Sequence, residues 1–113
     1  MKQDDKLYIC VIDKFPDYMT PTLVAHAVLR HHMIMSLRNP EDRTRYDEWL
    51  NESFKKCVVR VNQKEFDKIM MLDDVVNSWE NNTLDGEVSC LTVVAHTEEH
   101  NVLKFAKLWK PNA

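Results

Sequence analysis

Short apolar runs alternate along the chain with longer segments in which apolar residues recur at helical spacing. Residues 6–13 and 56–61 are mostly apolar, and the second run is rich in β-branched residues, which predicts two buried strands. Between them, apolar residues recur near helical spacing over about residues 20–38, which predicts a first, amphipathic helix. A second helix is expected to begin near Pro40 and to run to about Phe54.

Residues suited to helix ends support these boundaries. Thr20 is expected to cap the first helix through its hydroxyl, with Pro21 at the first helical position, where a missing N–H costs nothing. Asn62 is followed three residues later by Glu65, which is typical of a capping box and predicts a third helix.

The last third of the chain contains its single glycine, Gly86, which follows Asp85 between two strand-like runs, at about residues 75–84 and 87–95. This dipeptide favours a tight hairpin turn because glycine tolerates a positive φ. A final helix is expected from Thr97 to about Lys107. The order β-α-α-β-α-β-β-α predicts one α/β domain over residues 1–113, with a small mixed, mainly parallel sheet and helices on both faces.

Composition narrows the classes of function. The 113 residues are 44% apolar and 29% charged, which is ordinary for a water-soluble domain. We expect no membrane segment and a cytoplasmic location, because there is no apolar run near eighteen residues and no signal-like hydrophobic stretch. A single glycine excludes a Walker loop or a dinucleotide fingerprint, each of which needs several. Three distant cysteines are expected to be reduced thiols within strands.

Thr22, His26 and Arg30 follow one another at four-residue spacing on the first predicted helix. They would form a polar strip beside the carboxyl end of the first strand, where α/β proteins commonly bind ligands. In that interpretation His26 is an acid, a base or a hydrogen-bond donor, and Arg30 binds a phosphate or carboxylate. A histidine packed against a neighbouring helix, with the arginine in solvent, is the alternative.

Other charged groups carry weaker signals. Lys104, Lys107 and Lys110 recur every three residues and would contact an RNA backbone, although a solvated charged face explains them as well. The pairs His31–His32 and His96–His100 do not supply three convergent ligands, so no metal is expected and surface histidines are the default interpretation.

The element order and several local strings resemble the type-II peptidyl-tRNA hydrolase superfamily over about residues 6–110. The family's first helix has a signature ending in His-Ala, which His26 and Ala27 match. Three later family strings align with residues 79–83, with residues 92–97 and with the closing residues 105–109. The resemblance implies the fold of that superfamily and hydrolysis of the ester that joins a peptide to tRNA.

An ungapped match shows where this chain differs from the family. Met19 stands in place of the signature lysine and Leu23 in place of the signature glutamine. The family's active-site aspartate falls on Glu80, and a threonine falls on Cys90. A poorly characterised branch of the superfamily also lacks the lysine and the glutamine. The resemblance therefore implies His26 and Glu80 as the acid/base pair of a catalytic site.

Two functions follow from this comparison. One is a divergent peptidyl-tRNA hydrolase in which Asn81 and Asn82, next to Glu80, bind the ligand together with Thr22 and Arg30. The other is a non-catalytic binding module of the same fold that holds a nucleotide, an RNA end or a protein partner, for example as an inhibitor. The candidate partners are tRNA, a nucleotide, another protein and a second copy in a homodimer. No cofactor is expected.

Overall fold

The computed structural model describes residues 5–79 and 86–111, which form a mixed β-sheet with helices on both of its faces. The strands are β1 (Asp5–Ile12), β2 (Lys55–Val61), β3 (Val76–Trp79), β4 (Val88–His96) and β5 (Lys107–Leu108). The helices are α1 (Thr20–Ser36), α2 (Thr44–Glu48), α3 (Gln63–Met70) and α4 (Asn101–Lys104). The expected order of elements is confirmed, with β5 as an addition. No helix within these residues is long and apolar enough to cross a bilayer.

The strands lie in the spatial order β3-β4-β1-β2-β5. β1 and β2 are parallel, whereas β1–β4, β3–β4 and β2–β5 are antiparallel pairs. The expectation of a mainly parallel sheet is therefore wrong. β3 and β4 are joined by a short connection, which suits antiparallel neighbours, and β4 then runs antiparallel to the central β1 as well.

Alternate residues of β1 face opposite sides of the sheet, as the pleat requires. The odd-numbered residues from 7 to 11 pack into a core with Leu23 and Ala27 of α1 and with Tyr46 of α2. The even-numbered residues from 8 to 12 pack into a second core with Phe66 of α3 and Leu103 of α4. Burial of apolar surface on both sides explains why β1 reads as a nearly continuous apolar run.

The starts of α1 and α3 test the two expected caps. Asn62 accepts a hydrogen bond from the backbone N–H of Glu65 at 2.8 Å, and Glu65 accepts from the N–H of Asn62 at 2.9 Å, so the capping box is confirmed. Thr20 is instead the first residue of α1, and Met19 precedes it without a side-chain cap. The reason is a 3₁₀ turn at Asp17–Met19, which leads directly into the helix.

The second expected helix is divided into three short pieces. A 3₁₀ turn at Pro40–Asp42 precedes α2, and a π-helical turn at Trp49–Ser53 follows it. Phe54 ends the segment with a left-handed φ of 54°, and its N–H donates to the carbonyl of Trp49 at 2.7 Å. This segment brings Trp49 into the core, where its indole N–H donates to the carbonyl of Lys55 at 2.7 Å.

The expected final helix is much shorter in the structure, and the expectation of a helix from Thr97 to Lys107 is wrong. α4 covers only Asn101–Lys104, and the chain then pairs with β2, with Arg60 opposite Lys107. The N–H of Trp109 continues this pairing by donating to the carbonyl of Val58 at 2.8 Å. Gly86 has the positive φ, 76°, that the expected hairpin turn needs, whereas Asp85 lies outside the described residues.

Candidate functional site

The polar strip expected on α1 is only partly available to a ligand. Thr22 and His26 are exposed. Arg30 donates from Nε to the carbonyl of Asn77 at 3.0 Å, and its guanidinium lies 4.0 Å from the centre of the Trp79 ring. Arg30 therefore ties α1 to β3 and covers one face of Trp79. The other expected site residues, Glu80, Asn81 and Asn82, lie outside the described residues.

The three lysines of the expected RNA-binding stripe are exposed but do not share one helix. Lys104 belongs to α4 and pairs with Glu98 at 2.6 Å. Lys107 belongs to β5, and the carbonyl of Lys110 accepts from Arg60 at 2.5 Å. The chain changes from helix to strand between the first two lysines, and contact of the three with an RNA backbone stays a prediction.

A polar cleft of about 260 Å³ lies elsewhere, between the C-terminal part of α1, the start of α2 and the C-terminal part of β4. It has an apolar floor that includes Met35 and Val94. Its walls carry three arginines, two histidines and four acids, namely Arg38, Arg43, Arg45, His31, His100, Asp42, Asp73, Asp74 and Glu99. Sequence reasoning did not place a site here. These residues come from four separate stretches of the chain, which only the fold brings together.

Arg45 fixes one wall of the cleft. It donates from Nε and Nη2 to the nearly buried Asp5 at 3.2 and 3.4 Å, and from Nη1 to Glu99 at 3.0 Å. The hydrogen bonds from Arg45 lower the pKa of Glu99 to about 2. The bond with Glu99 also raises the pKa of Arg45, so both groups keep their charges at neutral pH.

Arg43 has a comparable role at the turn between α1 and α2. It donates to Asp47 at 3.1 Å and to the carbonyls of Arg38 and Ser36 at 3.0 and 3.3 Å. These bonds satisfy the carbonyl of Ser36, the last residue of α1, and the carbonyl of Arg38 just beyond the helix. Arg43 is therefore committed to holding the turn.

Arg38 is the arginine of the cleft with the most donors to spare among the described residues. Among the described residues its side chain makes one hydrogen bond, from Nη1 to Asp74 at 2.9 Å, although a guanidinium carries five N–H donors. Asp74 is well exposed and has a left-handed φ of 62°, which aspartate tolerates better than most residues. A ligand anion can therefore share Arg38 with Asp74, or replace Asp74 as its partner.

His31 forms the inner end of the cleft and is 1% exposed. Its Nδ1 lies 2.7 Å from the hydroxyl of Thr92, and its ring stacks on Tyr46 with 5.2 Å between centroids. Burial, with a further effect of Arg38, lowers the pKa of His31 to about 4, so the ring is neutral at pH 7.

The tautomer of His31 is coupled to the direction of the Thr92 hydroxyl. The Thr92 hydroxyl has one proton and lies 3.4 Å from the carbonyl of Val76, so it donates either to that carbonyl, in which case Nδ1–H of His31 donates to Thr92, or to Nδ1 itself. In the first arrangement Nε2 carries a lone pair and accepts a hydrogen bond, and in the second it carries the proton and donates one. A signal for burial was present in the sequence, since His31 continues the four-residue spacing of Leu23, Ala27 and Met35.

The function of this cleft is indicated neither by a metal site among the described residues nor by a known relative. Within residues 5–79 and 86–111, no group of three or more histidine, cysteine or acidic side chains is placed to hold a metal ion. No model of a known protein family and no curated protein matches the chain.

Proposed function

We propose that the protein is a non-catalytic binding module that holds a small carboxylate- or phosphate-bearing ligand, such as a nucleotide, in the cleft beside His31. The observation that carries the proposal is Arg38, whose guanidinium keeps donors for an anion in a cleft that also contains the buried His31. Planar guanidinium groups suit carboxylate and phosphate oxygens.

The chemistry of the cleft supports binding more than catalysis. His31 has a pKa of about 4, far below the range near neutrality that suits a general base. Arg43 and Arg45 are held by internal partners. At about 260 Å³ the cleft is slightly smaller than the roughly 300–1,000 Å³ of most ligand pockets, which favours a small ligand.

A panel of small ligands tests the proposal by calorimetry and thermal shift. The panel contains AMP, inorganic phosphate, acetate and common amino acids, because a ligand of the native state raises the unfolding midpoint. Arg38→Met should raise the dissociation constant of any bound anion about tenfold, through loss of a charge-assisted hydrogen bond. Lys68→Met, an exposed change on α3, is the matched control. The proposal is contradicted if no compound of the panel binds, or if Arg38→Met binds an anion as tightly as the unmodified protein does.

Peptidyl-tRNA hydrolysis at the other end of α1 is the second candidate function. It is favoured by the exposure of His26, which a large substrate can reach, and by the order of elements that the resemblance implies. In this proposal the fold is of the peptidyl-tRNA hydrolase type and the protein acts in the cytoplasm. The three free cysteines agree with a reducing compartment.

Release of free peptide from a labelled peptidyl-tRNA tests this second candidate. The variant His26→Ala, Glu80→Ala should lose turnover, whereas Lys68→Met should keep it. Turnover by the unmodified protein no faster than that of the double variant excludes the hydrolase.

A further inference from the structure

Besides Arg38, the cleft contains two carboxylates without a cationic partner in the described part of the chain. Asp42 and Asp73 both line it and are exposed, and neither pairs with a cation among residues 5–79 and 86–111. By contrast, Asp74 pairs with Arg38 and Glu99 pairs with Arg45. The cleft therefore offers one guanidinium to an anion and two carboxylates to a cation.

His31 adds a requirement of its own. Thr92 engages Nδ1, which leaves Nε2 as the ring nitrogen available to a ligand, and in the tautomer protonated at Nδ1 it accepts a hydrogen bond. A neutral imidazole does not repel a cation. A ligand group that donates N–H bonds, such as an ammonium, selects this tautomer and can bind Nε2 as well as carboxylates that line the same cleft.

The floor of the cleft is apolar and small. Met35, Tyr46 and Val94 line it and are nearly buried. A side chain of a few carbon atoms would bury apolar surface against them, at roughly 25 cal/mol per Å². The volume of about 260 Å³ suits a molecule of that size.

We propose that the cleft binds a small zwitterion, an α-amino acid with an apolar side chain. Its carboxylate meets Arg38, its ammonium meets Asp42, Asp73 and Nε2 of His31, and its side chain lies on the Met35 floor. This inference rests on the proposed function and adds the class of ligand.

Calorimetry with four matched compounds tests the ligand class. Leucine carries both charges, N-acetyl-leucine lacks the ammonium, leucinamide lacks the carboxylate, and AMP is an anion without an amino-acid group. The affinity for leucine should be higher than that for either derivative by about tenfold or more, because each derivative loses one set of charge-assisted hydrogen bonds. AMP should bind more weakly than leucine.

Variants locate the two ends of the ligand. Asp73→Asn combined with Asp42→Asn should weaken leucine severalfold while leaving N-acetyl-leucine unchanged, and Glu52→Gln, outside the cleft, should alter neither. If N-acetyl-leucine or AMP binds as tightly as leucine, the proposal of a zwitterionic ligand is wrong, whereas the proposed anion site at Arg38 still stands. Leucine binding that the double variant does not weaken also overturns it. Absence of binding by all four compounds and by phosphate overturns the proposed function as well.

Discussion

His31 shows how a single buried side chain makes this protein sensitive to acid. Its pKa is about 4 in the folded protein and 6.5 in an unfolded chain, so between these values the unfolded chain binds the extra proton. The free energy of unfolding should therefore fall as the pH is lowered, by about 2 kcal/mol on going from roughly pH 7 to pH 5. Urea denaturation at a series of pH values measures this slope.

Replacement of His31 separates its effect from those of the other histidines. Asn can place a hydrogen-bonding amide group where Nδ1 contacts the Thr92 hydroxyl, so His31→Asn should fold and should lose most of the slope. His26→Asn changes an exposed histidine and should keep it. An equal slope in His31→Asn and the unmodified protein would contradict the assignment.

Arg45 is the residue on which one wall of the cleft depends. Arg45→Met would leave the nearly buried carboxylate of Asp5 without its guanidinium partner and would free Glu99. Because Arg45 itself is partly exposed, we expect a loss of only about 1–2 kcal/mol of unfolding free energy in urea. Adding Asp5→Asn should recover part of this loss, and additive effects of the two changes would argue against the pair.

Whether the environment of a residue can be predicted from the sequence depends on how far along the chain its partners lie. The burial of His31 follows from local spacing with Leu23 and Ala27, so a closer reading of that pattern could find it. The pairing of Arg45 with Asp5 joins residues forty positions apart. Such a pair cannot be read from spacing, and neither can the cleft that it borders.

Among the elements, α3 has the most local determinants, and its cap can be tested directly. Asn62→Ala removes the acceptor for the N–H of Glu65 and should cost about 1 kcal/mol of unfolding free energy. Asn39→Ala is the matched control, because Asn39 precedes a 3₁₀ turn and makes no side-chain cap. A similar loss in both variants would show that the capping box does not stabilise the fold.

The elements that sequence reasoning missed depend on distant partners. Residues near Lys107 have a helical pattern, yet they form β5 because β2 offers an unpaired edge. The Asn62 cap, by contrast, needs only its neighbours within one turn, and it was predicted correctly. Local signals thus fixed the start of α3, whereas tertiary pairing ended α4 early.

In the whole molecule, the sheet has features that the sequence predicts and features that it does not. The apolar runs that form β1, β2 and β4 were recognised because burial on two faces leaves a clear pattern. The relative directions of these strands were not predicted correctly, because an apolar run does not indicate which strand pairs with it or in which direction. The expected acid/base pair of His26 and Glu80 stays a prediction, because Glu80 lies outside the described residues.

The three cysteines provide a measure of how the whole molecule opens. Burial raises the pKa of Cys90 to about 12 and raises that of Cys10 well above its usual value, so little thiolate forms in the native state. With a disulfide reagent near neutral pH, these two thiols should react only as fast as the domain unfolds, and urea should accelerate them. The half-buried Cys57 should react first.

Cys57→Ser is the variant that makes this measurement decisive. It should remove the faster phase and leave two thiols that report on global unfolding. The rate of that slow phase should follow the free energy of unfolding, and should therefore rise in Arg45→Met and in Asn62→Ala alike. Fast reaction of two thiols in the folded Cys57→Ser protein would mean that the sheet opens locally around β1 or β4, against the continuous burial of both strands.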